Sequence, residues 1–177
     1  MAGRDTAGDA ARLMREALAH ADGLHNLAHH LTRDGARADD LVQETYARAL
    51  GAATQFQAGS NLKAWLYRIL RNTFIDLRRH EHRARTDGGL DTVSESDGPP
   101  APHDTRPLDQ ERAVVGRELE GALLTLTEDA RMAVLLDLEG WTESEIADCL
   151  GCAVGTVKSR LFRAREALRE RLREHGQ

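Results

Sequence analysis

The 177-residue sequence is short of cysteine, with two, and of proline, with four, and it contains no long apolar run. No stretch approaches the roughly eighteen consecutive apolar residues a membrane-spanning helix requires, so membrane insertion is not expected. The N-terminus, Met1 to Asp9, lacks the basic-then-apolar order of a secretory signal, and the chain is expected to stay in the cytoplasm. Cys149 and Cys152 form one C-x-x-C with no second pair, and His175 is the only histidine in the C-terminal part. Zinc would need two further ligands, so the pair reads as small semi-buried thiols; a redox switch would need a lowered thiol pKa that sequence does not reveal. The histidine pairs His29, His30 and His80, His82 read as surface groups. No nucleophile, base and orienting group cluster, and neither a phosphate-cradling glycine-rich loop nor a complete metal set is present. The reading is therefore of a protein that is not an enzyme, with no catalytic, cofactor-binding or metal residue to assign.

Apolar residues make up 41% of the chain and charged ones 30%, the balance of a soluble globular protein able to build a helical core. Net charge is −5, but it is unevenly divided. Residues 1–85 carry 13 basic against 10 acidic side chains, residues 86–112 carry 2 against 7, and residues 113–177 carry 9 against 12. Within that last piece, residues 152–173 hold seven basic and two acidic groups. Positive charge is thus gathered in two places with an acidic stretch between them, which suits two nucleic-acid contacts better than one uniformly adhesive surface.

All four prolines, Pro99, Pro100, Pro102 and Pro107, fall in the stretch from Arg85 to Leu108, among Gly, Ser and Asp and with little apolar periodicity. Proline removes backbone donors and opposes helix, and so little burial leaves the chain entropy unmatched. The expected fold class is all-α: two small helical domains, residues 1–85 and 109–177, joined by a flexible acidic linker over 86–108, the C-terminal domain containing a helix-turn-helix. There is no strand-like alternation and no internal repeat.

In the first domain one helix is expected from about Ala10 to Thr32, with Leu13, Leu24, Leu27 and Leu31 on one face and Gly35 past its end. A second runs from about Ala38 to Leu50, burying Leu41, Val42, Ala49 and Leu50 and leaving Asp40, Gln43 and Glu44 outward. The third starts behind a cap at Ser60 and carries the stripe Leu62, Trp65, Leu66, Ile69, Leu70, Phe74 and Leu77. Its other face bears Arg68, Arg71, Asn72 and Arg79. The loop before it, Phe56 to Asn61, offers an aromatic and exposed amides beside a helix N-terminus, a setting able to hold an unpaired base.

The second domain opens near Asp109 with a helix bearing Val115, Leu119, Ala122 and Leu123. A helix capped by Thr127 follows, bearing Ala130, Val134, Leu135 and Leu138, and ends at Gly140. Thr142-Glu143-Ser144-Glu145 is a capping box that opens a short helix containing Ile146, Ala147 and Leu150. Gly151 then sits where a left-handed turn is needed, and helix resumes at about Val154. That helix is expected to bury Val154, Val157, Leu161, Ala164, Leu168 and Leu172. Thr156, Lys158, Ser159, Arg160, Phe162, Arg163 and Arg165 are left outward near its N-terminal half, the part that enters a major groove in this motif. Arginine and lysine there pair with guanine, and phenylalanine meets a thymine methyl. The helix starts after Ala153, which caps poorly, so its end should be slightly less stable.

Four segments carry a family resemblance: Asp40 to Thr45 (DLVQET), Asn61 to Leu66 (NLKAWL), Arg71 to Asp76 (RNTFID) and Val154 to Leu161 (VGTVKSRL). In this order they resemble region 2 and region 4 of the extracytoplasmic-function (ECF, group 4) sigma factors of bacterial RNA polymerase. The likeness covers nearly the whole chain apart from the linker and the ends; sigma regions 1 and 3 have no counterpart. It implies that Asp40, Leu41, Gln43 and Glu44 dock on the β′ subunit of core polymerase. It implies that Phe56, Ser60, Asn61, Lys63, Arg68, Arg71 and Asn72 capture a flipped base and the melted strand of the −10 element. It further implies that Thr156, Lys158, Ser159, Phe162 and Arg163 read the −35 element, with Arg160 and Arg165 on phosphates, while their domain meets the flap of the β subunit. Promoter DNA, core polymerase and a controlling anti-sigma factor are the implied partners. A linker of about 24 residues reaches roughly 80 Å, more than the roughly 60 Å between elements about 17 base pairs apart. Two other readings stay open here: a helix-turn-helix regulator, which would need no polymerase-docking surface, and a sigma mimic that keeps the fold only to sequester an anti-sigma factor.

Overall fold

A computed structural model describes residues 6–57, 59–87 and 119–175, and these divide into two compact units, one centred on the helices before residue 88 and the other on those after residue 118. Every regular element among the described residues is helical. None of their helices is long and apolar enough to cross a membrane. The expected linker lies almost wholly outside the described residues; its first residues, through Asp87, are helical.

The first unit consists of α1 (Thr6–Leu18), α2 (Ala21–Thr32), α3 (Gly35–Gly51), a 3₁₀ turn at Ala53–Gln55 and α4 (Leu62–Asp87). The single helix expected over 10–32 is therefore two. No proline or glycine stands at the break. Instead the backbone tightens, with Ala19 N donating to Glu16 O at 3.3 Å and His20 N to Ala17 O at 3.0 Å. The Tyr46 hydroxyl also donates to Ala17 O, at 3.1 Å. A straight rod of that span would be about 34 Å long and would carry Leu13 and Ala17 off the bundle. The bend returns them to α4 and the 3₁₀ turn, where both are buried.

The left-handed residue that ends α2 is Arg33, at φ 58°, rather than the expected Gly35, which is the first residue of α3. The strained position is held by Thr32, whose hydroxyl donates to Ala28 O at 2.9 Å. Asp34 then caps α3 by accepting from Arg37 N at 3.0 Å. Leu24, Leu27, Ala28 and Leu31 of α2 share the core with Ala38, Leu41 and Ala49 of α3 and with Ala64, Leu66, Tyr67, Leu70 and Phe74 of α4. Thr45 and Thr73 are buried too, and each hydroxyl is satisfied by the carbonyl four residues back, Leu41 O at 2.7 Å and Ile69 O at 2.9 Å. Two residues assigned to the core, Leu50 and Leu77, are instead exposed.

Tyr67 is the largest fully buried side chain among the described residues and is not part of the stripe expected from the sequence. It fits because α2 has a glycine opposite: a Cβ on Gly23 would stand 2.2 Å from the Tyr67 hydroxyl. Two ion pairs tie the ends of α3 to α4, Arg37 with Glu81 and Arg48 with Asp76, the latter at 2.9 Å.

The second unit holds residues 119–124 (α5), α6 (Glu128–Leu138), α7 (Glu143–Leu150) and α8 (Val154–His175). The expected start of α5 near Asp109, with Val115, lies outside the described residues; Ala122 and Leu123 are buried and Leu119 is exposed. Thr127 caps α6, accepting from Ala130 N at 3.4 Å. Five consecutive residues of α6, Met132 to Leu136, are buried, so this helix runs through the middle of the unit. Leu138, expected inside, is exposed at its end. Trp141, Ile146 and Ala147 are buried, as are Val157, Leu161 and Ala164 of α8, the helix that packs on α6.

Candidate nucleic-acid interface

Two backbone turns of the same design frame α7. Gly140 at φ 82° lets Trp141 N reach Leu136 O at 3.1 Å, and Gly151 at φ 63° lets Cys152 N reach Ala147 O at 3.1 Å. Each is a six-to-one closure that satisfies an orphan helix carbonyl. Between them the capping box forms as the sequence predicts. Thr142 N donates to Glu145 Oε2 at 2.9 Å, and Glu145 N donates to Thr142 Oγ1 at 3.3 Å. Helix, tight turn and second helix make a helix-turn-helix, with α8 in the reading position.

On α8 the buried residues are Val157, Leu161 and Ala164, with Leu168 half-buried. Val154 and Leu172, expected to continue the stripe, are exposed near the ends of α8, which runs 22 residues against 11 for α6. The opposite face carries Ser159, Phe162 and Arg163. Phe162 is 68% exposed, an aromatic ring held out into solvent by a helix whose core is already complete. Ser159 Oγ donates to Gly155 O at 2.6 Å, and Arg163 Nε donates to Ser159 O at 3.2 Å, so both side chains lie close along the helix. Thr156 sits half-buried in the first turn. That turn is closed by backbone alone, with Thr156 N and Val157 N both reaching Ala153 O. Three cations of the expected DNA-facing set have carboxylate partners: Lys158 with Glu143 at 3.5 Å, Arg160 with Asp129 at 3.1 Å and Arg165 with Asp137 at 2.6 Å.

On the first unit, Asn61, Trp65, Arg68 and Asn72 fall at four-, three- and four-residue steps on one side of α4. Arg68 and Asn72 are exposed, and half-buried Arg71 flanks them with a guanidinium N 3.4 Å from Asn72 Oδ1. The helix cap is Asn61, whose Oδ1 accepts from Ala64 N at 3.0 Å, and not Ser60, which is exposed one residue earlier beside Gly59 at φ 89°. Phe56 is half-buried with its ring 5.1 Å from that of Trp65, inclined by 55°. The aromatic of the loop is thus one half of a pair, and Trp65, assigned to the core on periodicity, is its half-exposed partner on the polar face. Its spacing from Asn61 and Arg68 was the available signal. Lys63 departs from this group: it lies toward the core side, its Nζ 5.9 Å over the Tyr67 ring.

The third expected surface is the outer row of α3. Asp40, Gln43 and Glu44 are exposed, and Glu44 holds Arg48 at 2.8 Å. Leu41 is 0% exposed and belongs to the hydrophobic core, so it supports this surface from beneath instead of forming it.

Comparison with known families separates the readings. The Sigma-70 region 2 family model matches residues 17–84 and the Sigma-70 region 4 family model matches residues 116–168. The chain belongs to the sigma factor family. It is 40% identical over 157 residues to the ECF RNA polymerase sigma factor EcfG of Rhodopseudomonas palustris, covering 88% of this chain and 82% of that protein. It is 36% identical over 163 residues to the ECF RNA polymerase sigma factor SigE of Mycolicibacterium smegmatis, covering 89% of this chain but 60% of that protein. Among solved structures, the sigma factor RpoE of Bartonella quintana, in complex with the anti-sigma factor NepR, is similar with a TM-score of 0.72 and 34% identity, over 90% of this chain and 96% of that one. In this sigma factor of the ECF class, all the candidate site residues lie within the two matched spans.

Proposed function

We propose that this ECF sigma factor binds core RNA polymerase and directs promoter-specific transcription initiation from two separate contacts, without catalysis of its own. The second unit, residues 109–177, reads the −35 element through Thr156, Lys158, Ser159, Phe162 and Arg163. The observation that carries this is the exposed Phe162 between Ser159 and Arg163 on the second helix of a helix-turn-helix: an apolar group for a thymine methyl beside a guanidinium for guanine. The first unit, residues 1–85, holds the melted −10 strand along Ser60, Asn61, Arg68, Arg71 and Asn72. The Phe56–Trp65 pair supplies the aromatic platform, and Lys63 adds a cation to the same contact. Asp40, Gln43 and Glu44 offer β′ an acidic docking row. Residues 86–108 tether the two, and the flap of the β subunit meets the second unit.

An anti-sigma factor holds the protein in check in the cytoplasm; the support is that the similar RpoE was solved with NepR bound. Neutral or acidic residues where Arg68, Arg163 and Arg165 stand would have favoured a sequestering mimic, and the cations are present. The test is run-off transcription from genomic DNA with purified core polymerase. Discrete new start sites are expected when the chain is added, and a transcript profile identical to that of core alone would refute the proposal.

A further inference from the structure

The two arginines that the family resemblance places on phosphates occupy a special position on α8. Val157, Leu161 and Ala164 form the buried stripe. At 100° per residue, Arg160 stands on one border of that stripe and Arg165 on the other, whereas Ser159, Phe162 and Arg163 point the opposite way. Each border arginine meets a carboxylate of the same central helix: Arg160 meets Asp129 at 3.1 Å, near the start of α6, and Arg165 meets Asp137 at 2.6 Å, near its end. The Arg160 and Asp129 side chains are only 27% and 29% exposed, so that pair is shielded on both sides, whereas Asp137 is 27% exposed and reaches an Arg165 that is 53% exposed. Arg160 is further fixed by a 3.5 Å contact from its Nη1 to Cys152 Sγ in the turn that launches α8.

An apolar stripe three residues wide resists translation of a helix but resists rotation about its own axis poorly, since hydrophobic contact is non-directional. Charged, forked hydrogen bonds on both borders supply the missing restraint, because rolling the helix either way stretches one of them. Even a small roll, too slight to uncover the stripe, would carry Phe162 and Arg163 sideways across the groove. We infer that Asp129 and Asp137 are positioning residues for promoter reading: they grip Arg160 and Arg165 to set the roll of the recognition helix, and Arg160 serves that clamp instead of a DNA phosphate. This rests on the assignment of α8 to the −35 element.

The experiment uses full-length sigma factor in holoenzyme on a pool of promoter fragments randomised over the −35 element, with transcripts sequenced at several salt concentrations. Variants are Asp129→Asn, Asp137→Asn and, as the direct-contact comparison, Arg163→Ala. On the clamp, Asp129→Asn flattens the preference among −35 sequences by about fivefold or more while the salt dependence of binding stays as in wild type. If Arg160 were instead a phosphate contact restrained by Asp129, the same substitution would release it. Binding to every sequence would tighten, the salt slope would steepen by about one, and selectivity would persist, which overturns the inference. Unchanged selectivity in both Asp variants overturns it as well. Thermal unfolding of each variant separates loss of roll control from loss of the fold; should Asp129→Asn unfold the unit, Asp137→Asn gives the reading from the other border. A wild-type holoenzyme with no preference over the randomised window would instead remove the assignment of α8 beneath the inference.

Discussion

Gly23→Ala tests how α4 is seated in the first unit. Alanine in place of glycine inside a helix ordinarily stabilises by about 1 kcal/mol. Here the new Cβ would lie 2.2 Å from the Tyr67 hydroxyl oxygen, about an ångström closer than packed atoms approach. Tyr67 is 1% exposed and enclosed by α2 and α4, so the ring has no room to swing aside. Overpacking of this kind costs about 1–3 kcal/mol, which outweighs the helix gain and leaves a net loss of up to about 2 kcal/mol. The next nearest atom, Tyr67 Cζ, is 3.5 Å away, an ordinary contact. In a Tyr67→Phe background the obstruction is gone, and Gly23→Ala should stabilise by about 0.5–1 kcal/mol. The sign change is the diagnostic. Urea unfolding followed by hydrogen exchange in α2 and α4 peptides reads it for the four proteins of the cycle. A Gly23→Ala effect of the same sign in both backgrounds would refute the packing argument. Because Tyr67 lies between Lys63 and the core and shares α4 with Asn61, Arg68 and Asn72, the destabilised variant should also melt promoter DNA less efficiently.

Ala153→Ser should add the missing side-chain acceptor at the head of α8 and raise the stability of the second unit by about 0.5–1 kcal/mol, measured by thermal unfolding; no gain would mean that the Ala153 carbonyl closure leaves nothing to cap. His20 has its pKa lowered below the usual 6.5, first by burial and then by the charge of Lys63. As pH falls through 6.5 the unfolded chain therefore takes up a proton that the folded unit resists, and stability drops until the lowered folded value is passed. The melting temperature of the first unit should fall between pH 7.5 and 5.5 by more in wild type than in His20→Gln, and equal falls would contradict the sign. Arg163→Ala should reduce discrimination at the −35 element by about 1–3 kcal/mol, read as the ratio of affinities for matched and mismatched sites; uniform weakening across all sequences would assign Arg163 to the phosphate backbone.

What could be read from the sequence was local. The capping box at Thr142 to Glu145, the cap at Thr127 and the left-handed glycine at 151 depend on residues within five positions of one another, and the structure forms all three. The central part of each apolar stripe was legible for the same reason. The break at residues 19 and 20 was not, because it is accompanied by a hydroxyl 29 positions from its acceptor, Tyr46 on α3. Periodicity gives the phase of a helix face but not how far the neighbouring helix extends beneath it, which is why Leu50, Leu138, Val154 and Leu172 emerge at or near helix ends. At the candidate sites the residue types were legible and their partners were not. Nothing in the spacing reveals that Arg160 and Arg165 meet Asp129 and Asp137, or that Phe56 leans on Trp65.

The outer row of α3 has one more consequence. Arg48 is the cation between Glu44 and Asp76, held at 2.8 Å and 2.9 Å, and so is occupied twice over while Asp40 and Glu44 keep that flank electronegative. A duplex sliding over the first unit would be turned away on that flank and welcomed only along α4. On the proposed assignment of these two faces, polarity alone would keep their contacts apart, a polyanion being repelled from the outer row of α3.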